Sequence, residues 1–130
     1  MVVDSSALIA IPLHEPENAR FTDAIAAAGY CRVAAVSALE ASIVIEARKG
    51  PAGGRELDLL LYRARIEIVA MNGAQVEIAR DAWRRFGRGN HPAALNLGDC
   101  CSYALAIALG ESLLYKGGYF AQTDVRDALS

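Results

Sequence analysis

The chain has 130 residues, with 13 Lys and Arg against 15 Asp and Glu and a formal net charge of −2. That length suffices for one domain with a full core, and the charge excludes a generally basic nucleic-acid binder, so contact with a polyanion would need a local basic patch. Apolar residues make up 54%, enough to leave apolar surface for a partner, yet no apolar run reaches membrane-spanning length and the start lacks the basic region of a signal peptide.

The apolar start Met1-Val2-Val3 predicts a strand that closes at Asp4, and Ser5 to Ala10 reads as a helix. Pro16-Glu17-Asn18 opens a second helix that ends at Gly29, with Pro near the start and Gly just past the end. Residues 31–36 read as a strand and 37–49 as a helix. Pro51-Ala52-Gly53-Gly54 predicts a turn, and residues 55–65 a further helix. Ile66-Glu67-Ile68-Val69 alternates like a strand, and 73–88 reads as a long helix. On it, Val76, Ala79, Trp83 and Phe86 predict a core stripe. Arg80, Arg84 and Arg88 form a basic row, with His91 and Lys116 expected near its end. That row is either an RNA-backbone track or a solvated face in which Glu77 pairs Arg80 and Asp81 pairs Arg84 or Arg85. After a loop at 89–92, a helix from Gly98 precedes the short apolar strand 112–115. Such alternation predicts an α/β fold, a central, mostly parallel sheet flanked by helices on both faces, within one domain over 1–130. Cys31, Cys100 and Cys101 form no C-x-x-C pair, and a vicinal pair on a helix points its side chains apart, so a reduced, cytoplasmic protein is expected.

Three carboxylates stand out. Asp4, Glu40 and Asp99 each lie where a lead-in gives way to a helix, and in open α/β sheets such points converge on the crevice where ligands bind. Each also has a local job available. Ser37-Ala38-Leu39-Glu40 matches a capping box, Asn96 to Asp99 looks similar, and Asp4 would cap its own helix. If the three meet, they need a cation, and all-oxygen donors favour Mg²⁺ or Mn²⁺ over zinc. Other folds with acidic pockets fit poorly. A receiver domain needs an aspartate ending the middle strand, which 66–72 lacks. A haloacid-dehalogenase-like phosphatase needs an aspartate where Ser6 stands. No Gly-rich phosphate loop is present.

Val2-Val3-Asp4-Ser5-Ser6-Ala7-Leu8 with Glu15-Pro16-Glu17 resembles the opening of PIN-domain nucleases of the VapC toxin type. Glu40-Ala41 with Val44 to Arg48 resembles their second acidic block. Residues 97–106, from Leu97-Gly98-Asp99, resemble the third, and Leu113 to Gly117 with Phe120 and Thr123-Asp124 the last. The resemblance implies a Mg²⁺- or Mn²⁺-dependent endoribonuclease held inactive by a cognate antitoxin; a recessed acidic pocket would take single-stranded or looped RNA, and the apolar content predicts burial against a second copy, as a homodimer, against an antitoxin, or both. Asp4 and Asp99 would be its principal metal ligands, Glu40 a further ligand or a water-positioning base, and Ser6 a partner of metal-bound water. The chain departs from the family at Tyr119, where an aspartate is expected. That departure opens an alternative, an attenuated or non-catalytic PIN fold that binds RNA or antitoxin without efficient cleavage.

Overall fold

In the computed structural model, which describes residues 1–130, four short strands form one sheet. They are β1 (Val2–Val3), β2 (Cys31–Ala34), β3 (Ile66–Val69) and β4 (Leu113–Leu114), in the order β3-β2-β1-β4, with every pairing parallel. Five helices cover it: α1 (Ser5–Ala10), α2 (Asn18–Ala28), α3 (Ala35–Arg63), α4 (Gly73–Phe86) and α5 (Leu97–Leu109), followed by a 3-10 turn at Phe120–Gln122. Strand residues alternate between two cores, as a period of two requires. Val3, Val33 and Leu114 pack with Leu8, Phe21, Ile45 and Leu57 under α1, α2 and α3. Val2, Ala34 and Leu113 face the other way, against Phe86, Leu95, Cys101 and Leu105 of the α4–α5 side. Burial on both faces explains why the strands read as apolar runs. No helix is long and apolar enough to cross a membrane.

The element boundaries bring several corrections. The second strand stops at Ala34, and Ala35 already opens α3 without a side-chain cap. The turn expected at 51–54 is absent. Instead α3 runs through, bent at one residue, Gly50, whose φ of 67° and ψ of −165° fall in a region almost closed to other residues. Pro51 then starts the second half of α3, where a proline's missing N–H costs nothing. Gly53 is required there because a Cβ would lie 2.7 Å from Lys49 Cβ and 2.9 Å from Ile45 Cγ2.

The predicted α4 stripe is also only partly core. Gln75, Ala82 and Phe86 are buried, while Val76 is 41% and Trp83 52% exposed. The row 75–78–82–86 faces the sheet, and Val76 and Trp83 each lie one residue, about 100°, round the helix from it.

Replacing Gly50 by Ala forces a Cβ into that strained conformation and should cost about 1–3 kcal/mol in urea unfolding. Loss-free replacement would show that α3 can straighten at this point.

Candidate active site

Asp4 ends β1 and caps α1, and its carboxylate is 2% exposed. Oδ2 accepts from the Ser6 amide at 3.0 Å and the Ser6 hydroxyl at 2.7 Å. Oδ1 accepts from the Ser102 hydroxyl at 2.5 Å. The Asp4 amide donates to Leu114 O at 2.9 Å, and the Lys116 amide donates to Ser6 Oγ at 3.0 Å. The end of β4 is thereby tied to the same corner.

Glu40 sits in the second turn of α3, not the first, because the helix begins at Ala35. The capping box expected from Ser37 does not form. Ser37 is fully buried with its hydroxyl 2.7 Å from that of Ser102, and Glu40 Oε1 accepts from the Ser5 hydroxyl at 2.5 Å. The Glu40 carboxylate lies over Gly98, where a Cβ would come within 2.8 Å and 2.9 Å of its two oxygens. A side chain at 98 would displace that carboxylate, so glycine is what lets it stay here.

Asp99, the third residue of α5, does hold the local role foreseen for it. Its Oδ2 accepts from the Asn96 amide at 3.0 Å while Asn96 Oδ1 accepts from the Asp99 amide at 2.9 Å, a complete capping box. Burial pushes its carboxyl up to about 6, and the charges of Asp4 and Glu40 push the same way, against the pull of the Asn96 amide and Arg88. The three acids therefore share one electrostatic neighbourhood beyond the ends of β1 and β2. Each one's oxygens are engaged by a local donor, and no three His, Cys, Asp or Glu side chains stand together as a ready metal cage.

Ser5, Ser37, Gly98 and Ser102 escaped the sequence reading. The signal for Ser102 was its spacing, three residues beyond Asp99 and so on the same helix face. Ser6 was singled out, and it bonds Asp4 directly. Tyr119 is 58% exposed and donates no hydrogen bond to any of the three acids. Lys116 leaves the basic row, pairing instead with Glu15 at 3.1 Å and Glu17 at 3.4 Å. Within the row Arg80 pairs Glu77 at 3.2 Å, and Asp81 pairs Arg85 at 3.3 Å. Arg84 and Arg88 are exposed and in no ion pair. They edge an apolar groove of about 680 Å³ lined by Val36, Met71, Val76, Trp83 and Leu97, which reaches Asn96 and Cys100 on either side of Asp99.

The sequence profile of the PIN domain matches residues 1–126. The chain belongs to the PIN-domain family. It is 50% identical over 125 residues to Ribonuclease VapC of Mycolicibacterium smegmatis, covering 96% of this chain and 97% of that one. It is 48% identical over 125 residues to VapC ribonuclease Mb0640 of Mycobacterium bovis, covering 96% and 95%. With Ribonuclease VapC28 of Mycobacterium tuberculosis it shares 45% over 130 residues, covering 99% and 98%. Its fold is similar to the crystal structure of Mycobacterium tuberculosis VapC20, a Sarcin-Ricin loop cleaving toxin, with a TM-score of 0.74, 12% identity and 95% of each chain covered. PIN-domain ribonucleases of the VapC type are generally metal-dependent. The donors of this PIN domain suit a hard cation, since they are carboxylates and hydroxyls without a nitrogen or sulfur among them, and the repulsion from Asp4 and Glu40 that adds to burial in raising Asp99 is what a divalent ion would relieve.

A carboxyl held near 6 instead of its ordinary 3.8 gives stability that is full below about pH 4 and lost as pH rises through about 6. Asp99→Asn removes that ionisation. In chelator, the melting temperature of the variant should therefore gain on the unsubstituted protein between pH 4 and 7. A gap that stays constant would place Asp99 in the ordinary carboxylate range.

Proposed function

We propose that residues 1–130 act as one PIN domain, a metal-dependent endoribonuclease toxin that works in the cytoplasm and is neutralised by a cognate antitoxin. What carries this reading is the Asp99 carboxyl, pushed up by burial and pushed the same way by the nearby charges of Asp4 and Glu40. The similarity to ribonucleases across nearly the whole chain supports the same reading. Asp4, Asp99 and Glu40 would hold Mg²⁺ or Mn²⁺, which when bound supplies Lewis-acid polarisation of the scissile phosphate and a lowered pKa for the attacking water. Asp4 is held rigid by its three donors. Glu40 has Oε1 fixed by Ser5, which leaves Oε2 to accept a proton from water. Arg88, whose charge already reaches Asp99, is placed to meet substrate phosphate. Single-stranded or looped RNA fits a recessed acidic corner, because an extruded nucleotide reaches it and an A-form groove does not.

The partners follow from surface chemistry. Val76, Trp83 and Leu97 are exposed beside the groove, and Leu39 and Ile43 extend the same face of α3 from Val36 at helical spacing. This face fits a second copy of the chain, making a homodimer. A cognate antitoxin would silence the acids by presenting a cation of its own, an arginine. Tyr119 stands where the family usually has an acid and is exposed, which favours an attenuated enzyme over a fully active one.

Asp4→Asn or Asp99→Asn should abolish cleavage of a looped RNA while melting cooperatively, and cleavage at the original rate would remove that residue from the site. Equal cutting of duplex DNA and looped RNA would sink the substrate class. Trp83→Glu should shift sedimentation from dimer to monomer, and a protein that is monomeric before substitution overturns the dimer. Tyr119→Asp should raise both Mn²⁺ affinity and RNA cleavage. If it raises neither, the three acids suffice.

A further inference from the structure

Asp4 is a buried charge whose hydrogen bonds can be given a direction. Ser102 and Ser37 are fully buried, with hydroxyls 2.7 Å apart, and Ser102 Oγ is 2.5 Å from Asp4 Oδ1. A carboxylate oxygen only accepts, so the one Ser102 proton goes to Asp4. Ser37 must then donate to Ser102. The order is forced: Ser37 to Ser102 to Asp4 Oδ1. At the other oxygen the direction is equally fixed. The Lys116 amide donates to Ser6 Oγ, whose proton goes to Asp4 Oδ2 alongside the Ser6 amide. Two donors fill Oδ2, whereas Oδ1 has one donor and one lone pair to spare.

We propose that Ser102, polarised by Ser37, is a positioning residue for Asp4. It holds the carboxylate so that the spare lone pair of Oδ1 is the one offered to a divalent cation. The proposal rests on the reading of Asp4 as a metal ligand. Each donor in a hydroxyl chain strengthens the next, so Ser37 acts on Asp4 only through Ser102. Its contribution vanishes when Ser102 is gone. A packing role would behave otherwise, because two serines that merely fill space change stability and leave cation affinity alone.

The test is Mn²⁺ binding by titration calorimetry and electron paramagnetic resonance, without RNA, on Ser102→Ala, Ser37→Ala and the double variant. Thermal melts in chelator run beside them. Groups that orient a metal ligand typically contribute about 10–100-fold in affinity. Ser102→Ala should therefore weaken Mn²⁺ by about 10-fold or more, Ser37→Ala by a few-fold, and the double variant no more than Ser102→Ala alone. Ser102→Ala leaves the Ser37 hydroxyl buried without its acceptor, so that single variant is the one at risk of misfolding. The double variant removes both hydroxyls, folds more readily, and carries the same Mn²⁺ loss. Unchanged Mn²⁺ affinity in the double variant, or losses that simply add, would overturn the proposal. Asp4→Asn separates the two levels. If it binds Mn²⁺ like the unsubstituted protein, Asp4 is not a ligand and the parent reading fails. If it loses Mn²⁺ while the serine variants do not, only the relay fails.

Discussion

The structure depends on burying one carboxylate among neutral hydrogen-bond donors. Asp4 is 2% exposed, and an unpaired buried charge costs several kcal/mol even after the protein relaxes, on the order of what a whole domain has to spare. No cationic side chain pairs with it. Neutral donors compensate instead: the Ser6 amide and hydroxyl at Oδ2, and the Ser102 hydroxyl at Oδ1. Hydrogen bonds to charged groups contribute about 1.5–3 kcal/mol each, so three of them offset much of the burial. These donors come from α1 and α5, backed by Ser37 of α3 and the Lys116 amide beyond β4. Three segments distant from it in sequence are thus tied to one side chain, α5 directly and the other two through Ser102 and Ser6. Neutral donors also leave the negative charge in place, which a lysine or arginine would have cancelled.

That constraint explains the crowding around it. With Asp4 fixed, α3 and α5 must approach the end of β1 closely enough for Ser37 and Ser102 to touch. The close approach puts Glu40 directly over Gly98, where a Cβ would push its carboxylate aside. It also brings Asp99 under the influence of both other acids. The capping box of α5 moderates this, since the Asn96 amide stabilises the Asp99 charge while α5 forms. Structural and chemical roles are therefore not rivals at Asp99. The helix cap is what holds the carboxyl in a place where its charge is costly.

The fold and the three acids were legible in the sequence because they rest on local signals. Short apolar or alternating runs, Pro16, Gly29 and Asn96 mark elements whose form is decided by near neighbours. What was not legible depended on distant chain. Nothing near Ser37 announces Ser102, 65 residues away, and a serine at the third position of a strong helix start reads as a cap. The Pro51–Gly54 turn misled for a related reason. Proline and glycine signal a break, but here the break is confined to Gly50, and Gly53 is small because Ile45 and Lys49 pack against it. Trp83 misled because a stripe at helical spacing has a width. Burial of the 75–78–82–86 row left residues one step round the helix facing outward, and periodicity alone does not say how deep a helix lies.

The segment carrying Tyr119 is held at both ends by groups that belong to this same framework. At its start the Lys116 amide bonds to Ser6, and at its end Asp124 accepts from Tyr103 at 2.6 Å and from Arg85 at 3.1 Å. Arg85 and Tyr103 lie on α4 and α5, so the loop is anchored to the site and to the helices behind it. Gly117, at φ 94°, supplies the sharp bend between the anchors. A side chain at 119 is therefore presented from a fixed backbone, and because position 119 is exposed, exchanging a phenol for the smaller carboxylate acts chiefly through charge. Such a charge has two opposite effects. In the proposed site, without a cation it would add to the repulsion from Asp4 and Glu40 that reinforces burial in raising Asp99 to about 6, whereas with a cation it would add a ligand or an attracting field. In the proposed site, a neutral residue at this position would thus lower the electrostatic strain of the metal-free protein and weaken the hold on metal together, two consequences of one missing charge.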